Sequence, residues 1–399
     1  MNMRIKIEKL DNFGRGICYV NNKICFVENA LPNEEVEIEI IKENSKYIEA
    51  NTKKIYVESP IRTEEDCIYS NLCGGCNLNH ICYNEENKFK KEKLKDLIKK
   101  YAHINPDIIE KIEYHDRNHY RNKIILHGNK ESLGLYKKNS NEIIPIQECL
   151  LVNPKINEII KILQKEENEI EEALIKTSND NSKIMVSIKG KVVNQKELEN
   201  SCNVLKINND FITKEQEIET TIGNIKYIES IHSFFQVNNT LTKELYDEVL
   251  NSIKDKHYKK ALDLYCGTGT IGIYISHYVD RILGVDSNES NIKDANHNKV
   301  LNNIKNIEFI QSKVEDRINE FKDIDLIIVD PPRAGLDEKT RKYLKQISPK
   351  TIIYVSCDPV TLSRDLNELQ EAYDIKKIKP FNMFPRTYHC ESITILERR

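Results

Sequence analysis

The stretch ALDLYCGTGTIG, Ala261 to Gly272, decides the fold of this 399-residue chain. An apolar run ends in a glycine-rich turn, and a helical pattern follows. Gly267, Gly269 and Gly272 stand in GxGxxG spacing. Glycine lets the backbone turn tightly and approach a ligand closely. Asp286 ends the next apolar run, ILGVD, nineteen residues after Gly267. A carboxylate placed there accepts the hydroxyls of a ribose. The pattern predicts strand, loop, helix, strand and acid, the layout of a nucleoside-cofactor site. NAD and S-adenosylmethionine both fit it, and the plain alternative is a loop with no ligand.

Outward from this stretch, helical and strand patterns alternate from about residue 240 to the end: LTKELYDEVLNSI, ALDLY, ILGVD, IEFIQ, LIIVD and TIIYVS with helices between them. Such alternation predicts a mainly parallel sheet with helices on both faces. Ligands of open parallel sheets bind beyond the strand C-termini. LIIVDPPRAGL places Asp330 at such an end, and Pro331-Pro332 lack N–H groups, so their carbonyls are left to line a pocket. An acid followed by Pro-Pro on the fourth strand resembles methyltransferases that act on nucleobases; the plain reading is a turn with a surface arginine. VSCDP puts Cys357 at the end of the next strand, with no second Cys or His at metal-ligand spacing. YHCESITIL puts Glu391 just before a last apolar strand. A thiol and a carboxylate together suit alkylation of carbon 5 of a pyrimidine. Thiolate addition at carbon 6 makes carbon 5 nucleophilic, and a base then removes its proton so that the thiol can leave.

DLYCGTG, FFQVNN, VDPPRAGL, YVSCDPVTLSRDL and HCESITIL, in this order, resemble the RNA uracil-carbon-5 methyltransferases. The resemblance implies S-adenosylmethionine as cofactor, with Gln236, Tyr265, Gly267, Gly269, Asp286 and Asp330 as cofactor or pocket residues. It also implies Cys357 as nucleophile and Glu391 as general base. One departure is Asp358, where much of the family has Asn. An acid beside the thiol opposes thiolate formation; it is read as a tolerated variant.

The N-terminus, MNMRIKIEKLDN, has no apolar core of a signal peptide, and no apolar run is long enough for a membrane span. A cytoplasmic protein is expected, with no membrane and no protein partner inferred. Eleven cysteines do not suit structural disulfides in a reducing compartment. CIYSNLCGGCNLNHICY concentrates four of them at 67, 73, 76 and 82, close enough for a metal site. Four-cysteine zinc is one reading. The C-x5-CGGC spacing resembles the 4Fe-4S site of one branch of the same family, which implies Cys67, Cys73, Cys76 and a distant fourth ligand, Cys149 in IPIQECLLVNP. Cys82 is the rival by proximity, although it falls at a helix start. The methyl transfer needs no electron, so a cluster would be structural or RNA-positioning.

Residues 1–58 read as five short alternating strands separated by turn signals, as in an OB-like barrel. Cys18 and Cys25 lie in them as small core residues. This segment resembles a TRAM domain, which implies RNA binding; Arg15, Lys23 and lysines near 46–54 are candidates for phosphate contact. Lys88–Lys100 carries seven lysines, either for RNA or on a solvated helix face. DRNHYRNKI interleaves aromatic and basic residues, with Tyr120, Arg121 and Lys123 as candidate RNA contacts. INEIIKILQKEENEIEEAL reads as one helical run. The net charge of −3 confines any RNA face to a local patch.

The expected architecture is α/β. It has a TRAM barrel at 1–58 and an α+β iron–sulfur domain at 59–235, whose residues near 79–111 are candidates to pack on the catalytic domain. A Rossmann-like methyltransferase domain occupies 236–399. The expected activity is methylation of carbon 5 of a uridine in RNA. 23S rRNA is favoured, because the TRAM-bearing, cluster-bearing members act there, and tRNA is the alternative. A rival, an NAD-dependent iron–sulfur redox protein, leaves DPPR, VSCDP and Glu391 unexplained. Another is an inactive RNA-binding module in which Cys357 merely packs.

Overall fold

A computed structural model describes every residue except 1, 2, 130, 131, 166 and 232. The chain divides into two compact units: residues 1–93, 135–144 and 384–388, and residues 94–134, 145–383 and 389–399. The grouping follows space rather than chain order, since a five-residue strap from near the C-terminus belongs with the N-terminal unit.

In the first unit a sheet contains strands Gly16–Val20, Lys23–Glu28, Glu35–Glu43 and Tyr47–Val57. An N-terminal strand is broken into Met3–Lys6 and Lys9–Leu10. Its first half pairs with Glu35–Glu43 and its second with Gly16–Val20. The broken strand therefore joins the two ends of the sheet and leaves no long open edge. Asn21 and Asn22 both take positive φ, as a two-residue hairpin turn requires. Cys18 and Cys25 face each other across the hairpin inside the apolar core. The Cys25 thiol and burial push Cys18 upward, so both behave as core residues. Helix Tyr83–Leu97 follows the cysteine-rich loop. Two of the lysines considered for RNA, Lys90 and Lys93, are buried and donate to the Phe384 and Tyr388 carbonyls, both at 2.9 Å.

In the second unit strands Lys123–Gly128, Glu169–Thr177, Ile184–Lys191 and Val204–Ile207 lie side by side. The helix expected through residue 174 stops at Leu163, and Glu169–Thr177 is a central strand. Glutamates favour helix locally, but pairing on both sides and burial of Ala173 to Thr177 override that preference.

The C-terminal sheet of this unit has strands β1 (Tyr258–Leu264), β2 (Val279–Asp286), β3 (Ile307–Gln311), β4 (Leu326–Val329), β5 (Thr351–Ser356), β6 (Tyr373–Phe381) and β7 (Glu391–Arg398). Their order is β3-β2-β1-β4-β5-β7-β6. β1 to β5 run parallel, and β7 is antiparallel to both neighbours. β4 and β5 are buried at every position, as strands covered on both faces must be.

Candidate active site

The C-terminal edge of this sheet gathers the expected residues one step beyond the strand ladder. Leu264 of β1 pairs with Val285 of β2 and Val329 of β4. Tyr265, Asp286 and Asp330 therefore emerge at adjacent positions. Ser356 of β5 pairs with Ser392 of β7, and the next step of that antiparallel register sets Cys357 opposite Glu391. Two residues far apart in the chain thus share one site.

Tyr265, Gly267 and Gly269 all take positive φ, at 62°, 54° and 75°. A Cβ at Gly269 would stand 2.4 Å from Phe309, whereas one at Gly267 would meet nothing within 4 Å. Gly267 is thus required for its φ and faces open space. Its N–H donates to Asp286 Oδ2 at 3.1 Å. Asp286 Oδ1 accepts from the Asn288 N–H at 2.8 Å and Asn291 Nδ2 at 3.2 Å. One carboxylate therefore fixes both the glycine loop and the start of helix Glu289–Leu301. Gly272 serves a different end: its N–H donates to the buried Asp263 Oδ2 at 3.0 Å, and a Cβ would approach that oxygen to 2.8 Å.

Burial pushes Asp263 and Asp330 up to about 7. Glu391, 2% exposed, is pushed up to about 8 by burial and then by the Asp330 charge, with Arg333 opposing. Cys357 is half-buried. Burial, Glu391, Asp330 and, to a smaller extent, Asp358 push its thiol up to about 12, and Arg333 acts the other way. Arg333 Nη2 lies 3.3 Å from His389 Nε2. Arg333 is exposed, as a surface arginine should be, and it is also the cation acting on both Cys357 and Glu391.

Asp358 has a structural task. Its Oδ1 accepts the N–H groups of Val360 and Thr361, both at 2.9 Å, which caps helix Pro359–Leu369. Asp and Asn are both strong caps there, and negative charge is favoured at a helix N-terminus.

Gln236 is 7% exposed, and its carbonyl accepts from Asn122 Nδ2 at 3.0 Å. The Asn122 N–H donates to the Val237 carbonyl at 2.9 Å. The YRNK segment thus braces the chain that carries Gln236, a role its sequence did not announce. Tyr120 is packed away at 2% exposure, so its ring does not present a stacking face. Arg121 and Lys123 are half-buried, and burial pulls Lys123 downward. Phe234, two residues before Gln236, is 57% exposed.

Cys67, Cys73 and Cys76 lie half-buried in the turn-rich loop of the first unit, where the Gly75 N–H donates to Cys73 Sγ at 3.3 Å. Cys149 belongs to the second unit, and Cys82 immediately precedes helix Tyr83–Leu97. Among the described residues, no group of three or more His, Cys, Asp or Glu side chains is gathered to hold a metal ion. Also among them, no helix is long and apolar enough to cross a membrane.

Residues 195–399, about half of the chain, match the family model of tRNA (uracil-5-)-methyltransferases. The chain belongs to this family. The methyltransferase also carries a TRAM domain, matched over residues 2–52. It is 34% identical to an uncharacterized RNA methyltransferase of Aquifex aeolicus, over 99% of this chain and 98% of the relative. An uncharacterized RNA methyltransferase of Clostridium tetani is 32% identical, over 96% and 93%. Among solved structures it is similar to the Pyrococcus abyssi tRNA (uracil-54, C5)-methyltransferase in complex with S-adenosyl-L-homocysteine. The TM-score is 0.79 and the identity 26%, over 99% of this chain and 100% of that one. The enzyme is an S-adenosylmethionine-dependent RNA methyltransferase with the Rossmann-like fold and TRAM barrel that its sequence predicted.

Proposed function

We propose that the enzyme methylates carbon 5 of a specific uridine in 23S rRNA through a covalent intermediate. The observation that carries the reading is the β5–β7 register, which sets Cys357 opposite Glu391 beside Asp330. Cys357 Sγ loses its proton to solvent and bonds to carbon 6 of the uracil as the thiolate, and the electron pair of the 5,6 double bond makes carbon 5 nucleophilic. S-adenosylmethionine would supply the methyl group that carbon 5 takes up, and would leave as S-adenosylhomocysteine. Glu391 then removes the carbon 5 proton, the carbon 6–sulfur bond breaks, and its electron pair returns to Cys357. Gln236, Tyr265, Gly267, Gly269, Asp286 and Asp330 hold the cofactor at the sheet edge. With its pKa raised, the Cys357 thiol is protonated at neutral pH and must lose its proton before it attacks. The raised Glu391 titrates near working pH, where a general base is most useful.

A 4Fe-4S cluster on Cys67, Cys73, Cys76 and Cys149 is part of this reading. It rests on the CGGC spacing and on the donor chemistry of the loop, and the methyl transfer takes no step through it. Arg121 and Lys123 are proposed RNA contacts, and Tyr120 becomes one only on rearrangement. A tRNA target is the second reading, favoured by the similarity to the P. abyssi enzyme. Nucleoside mass spectrometry of 23S rRNA and tRNA from a deletion strain tests the choice. The proposal expects one 5-methyluridine to vanish from 23S rRNA. Loss from tRNA alone supports the second reading, and no loss from either contradicts both.

A further inference from the structure

The strap Phe384–Tyr388 joins the two halves of the β6–β7 hairpin, yet it belongs to the N-terminal unit. Its Phe384, Arg386 and Tyr388 carbonyls and its Arg386 N–H are held there. The buried Lys90 Nζ donates to the Phe384 carbonyl at 2.9 Å and pairs with the equally buried Glu86 at 3.0 Å. Glu86 Oε1 in turn accepts the Arg386 N–H at 2.9 Å. The Arg386 carbonyl accepts the N–H groups of Asn77 and Leu78, at 2.8 and 2.9 Å. Those two residues directly follow Cys76.

The side chain of Arg386 continues the grip. It is 1% exposed, the largest fully buried side chain of the chain's described residues. Nη1 and Nη2 make a bidentate pair with Asp66, at 2.6 and 2.7 Å, and Nη1 also donates to Asn79 Oδ1 at 3.1 Å. Such a fork fixes orientation as well as distance. Asp66 directly precedes Cys67, and the guanidinium acts electrostatically on Cys76 and Cys67. The cysteine loop therefore grips the strap from both of its ends, through Asp66 and through Asn77-Leu78.

The far end of the strap is short. Three residues beyond Tyr388 stands Glu391, the first residue of β7. Three residues span about 10 Å at full extension, and Cys390 between them is fully buried. A shift of the strap thus has only three residues of chain through which to reach the carboxylate.

We propose that the Arg386–Asp66 pair is a positioning latch for Glu391, which ties the cysteine loop to the proton-removal step through the Phe384–Tyr388 strap. The inference rests on Glu391 as the base. Arg386 and Asp66 are positioning residues that touch neither RNA nor cofactor. Opening the latch slows removal of the carbon 5 proton and leaves the earlier formation of the Cys357–carbon 6 bond in place.

The test compares Asp66→Asn and Arg386→Lys with wild type and Glu391→Gln on ordinary uridine-containing RNA. Enzyme–RNA adducts are read on denaturing gels, methyl transfer by label, and S-adenosylhomocysteine affinity by calorimetry. The expected result is turnover at least tenfold slower for both latch variants. The covalent adduct should accumulate as it does for Glu391→Gln, with S-adenosylhomocysteine affinity unchanged. Asp66 is half-exposed, so its variant keeps the test alive if Arg386→Lys does not fold. Wild-type turnover in Asp66→Asn, or slower turnover with no adduct while Glu391→Gln does accumulate it, overturns the latch. No adduct even in Glu391→Gln refutes the base reading instead; the latch then falls with it.

Discussion

Replacing Glu391 by Gln removes a buried ionisable group while keeping its shape, and its burial sets the sign of the effect on stability. The carboxyl is raised from its ordinary 4.5 to about 8. Up to about pH 8 the folded enzyme keeps it protonated, whereas the unfolded chain ionises it above about pH 4.5. Its contribution is therefore fully present below about pH 4.5 and is lost as pH rises to about 8. Each tenfold change in proton affinity is worth about 1.4 kcal/mol, which bounds the loss at ~5 kcal/mol. Asp330 repels the same charge and shares the penalty, so a loss on the order of 2–4 kcal/mol is expected. The amide of Glu391→Gln mimics the protonated acid at every pH. The assay is urea unfolding of both proteins at pH 5 and pH 9. Glu391→Gln should gain on wild type by that amount between the two, while losing turnover. A stability difference that does not change with pH, or that shifts toward wild type at pH 9, would refute the burial argument.

Gly269→Ala must take φ near 75° and push against Phe309, at about 2–5 kcal/mol by the usual costs of left-handed backbone and overpacking; thermal unfolding and a cofactor titration check it. Asp358→Asn retains the cap of helix Pro359–Leu369 and should keep full or faster methylation, whereas Asp358→Ala should lose about 1 kcal/mol in denaturant unfolding. Arg333→Met removes the cation that opposes the rise of the Cys357 thiol. Adduct formation should slow several-fold at neutral pH and recover as pH is raised, in a stopped-time gel series. Anaerobically purified enzyme should carry four iron and four sulfide per chain by chemical analysis, on the order expected of one cubane cluster, and zinc without sulfide would rule the cluster out.

The catalytic sheet was legible because its signals are local. A glycine loop between two apolar runs, an acid at the end of the second, and a strand ending in Asp330-Pro331-Pro332 each name their own place at the sheet edge. The partnership of Cys357 with Glu391 was legible only as chemistry, because antiparallel register across β5 and β7 has no sequence mark. Asp358 opposes the thiolate as its place in the chain predicts; what the chain did not show is its second task, accepting two backbone N–H groups as the cap of the next helix. Residues 169–174 were misread because glutamate-rich spacing imitates a helix, while pairing with Lys123–Gly128 and Ile184–Lys191 makes them part of a strand. Tyr120 beside Arg121 resembled a stacking face, and its burial lies in tertiary packing that a basic-aromatic pattern does not encode. The return of Phe384–Tyr388 to the N-terminal unit was equally hidden, since it depends on Arg386 meeting a partner 320 positions away.

The central claim is that Cys357 attacks the uracil ring. RNA carrying 5-fluorouridine at the modified site tests it most directly, because a fluorine at carbon 5 cannot leave as a proton does. With S-adenosylmethionine present, intact-mass analysis should find one enzyme–RNA adduct carrying the added methyl group, attached at Cys357, and none with Cys357→Ala. No adduct with wild type, or an undiminished adduct with Cys357→Ala, would contradict the account.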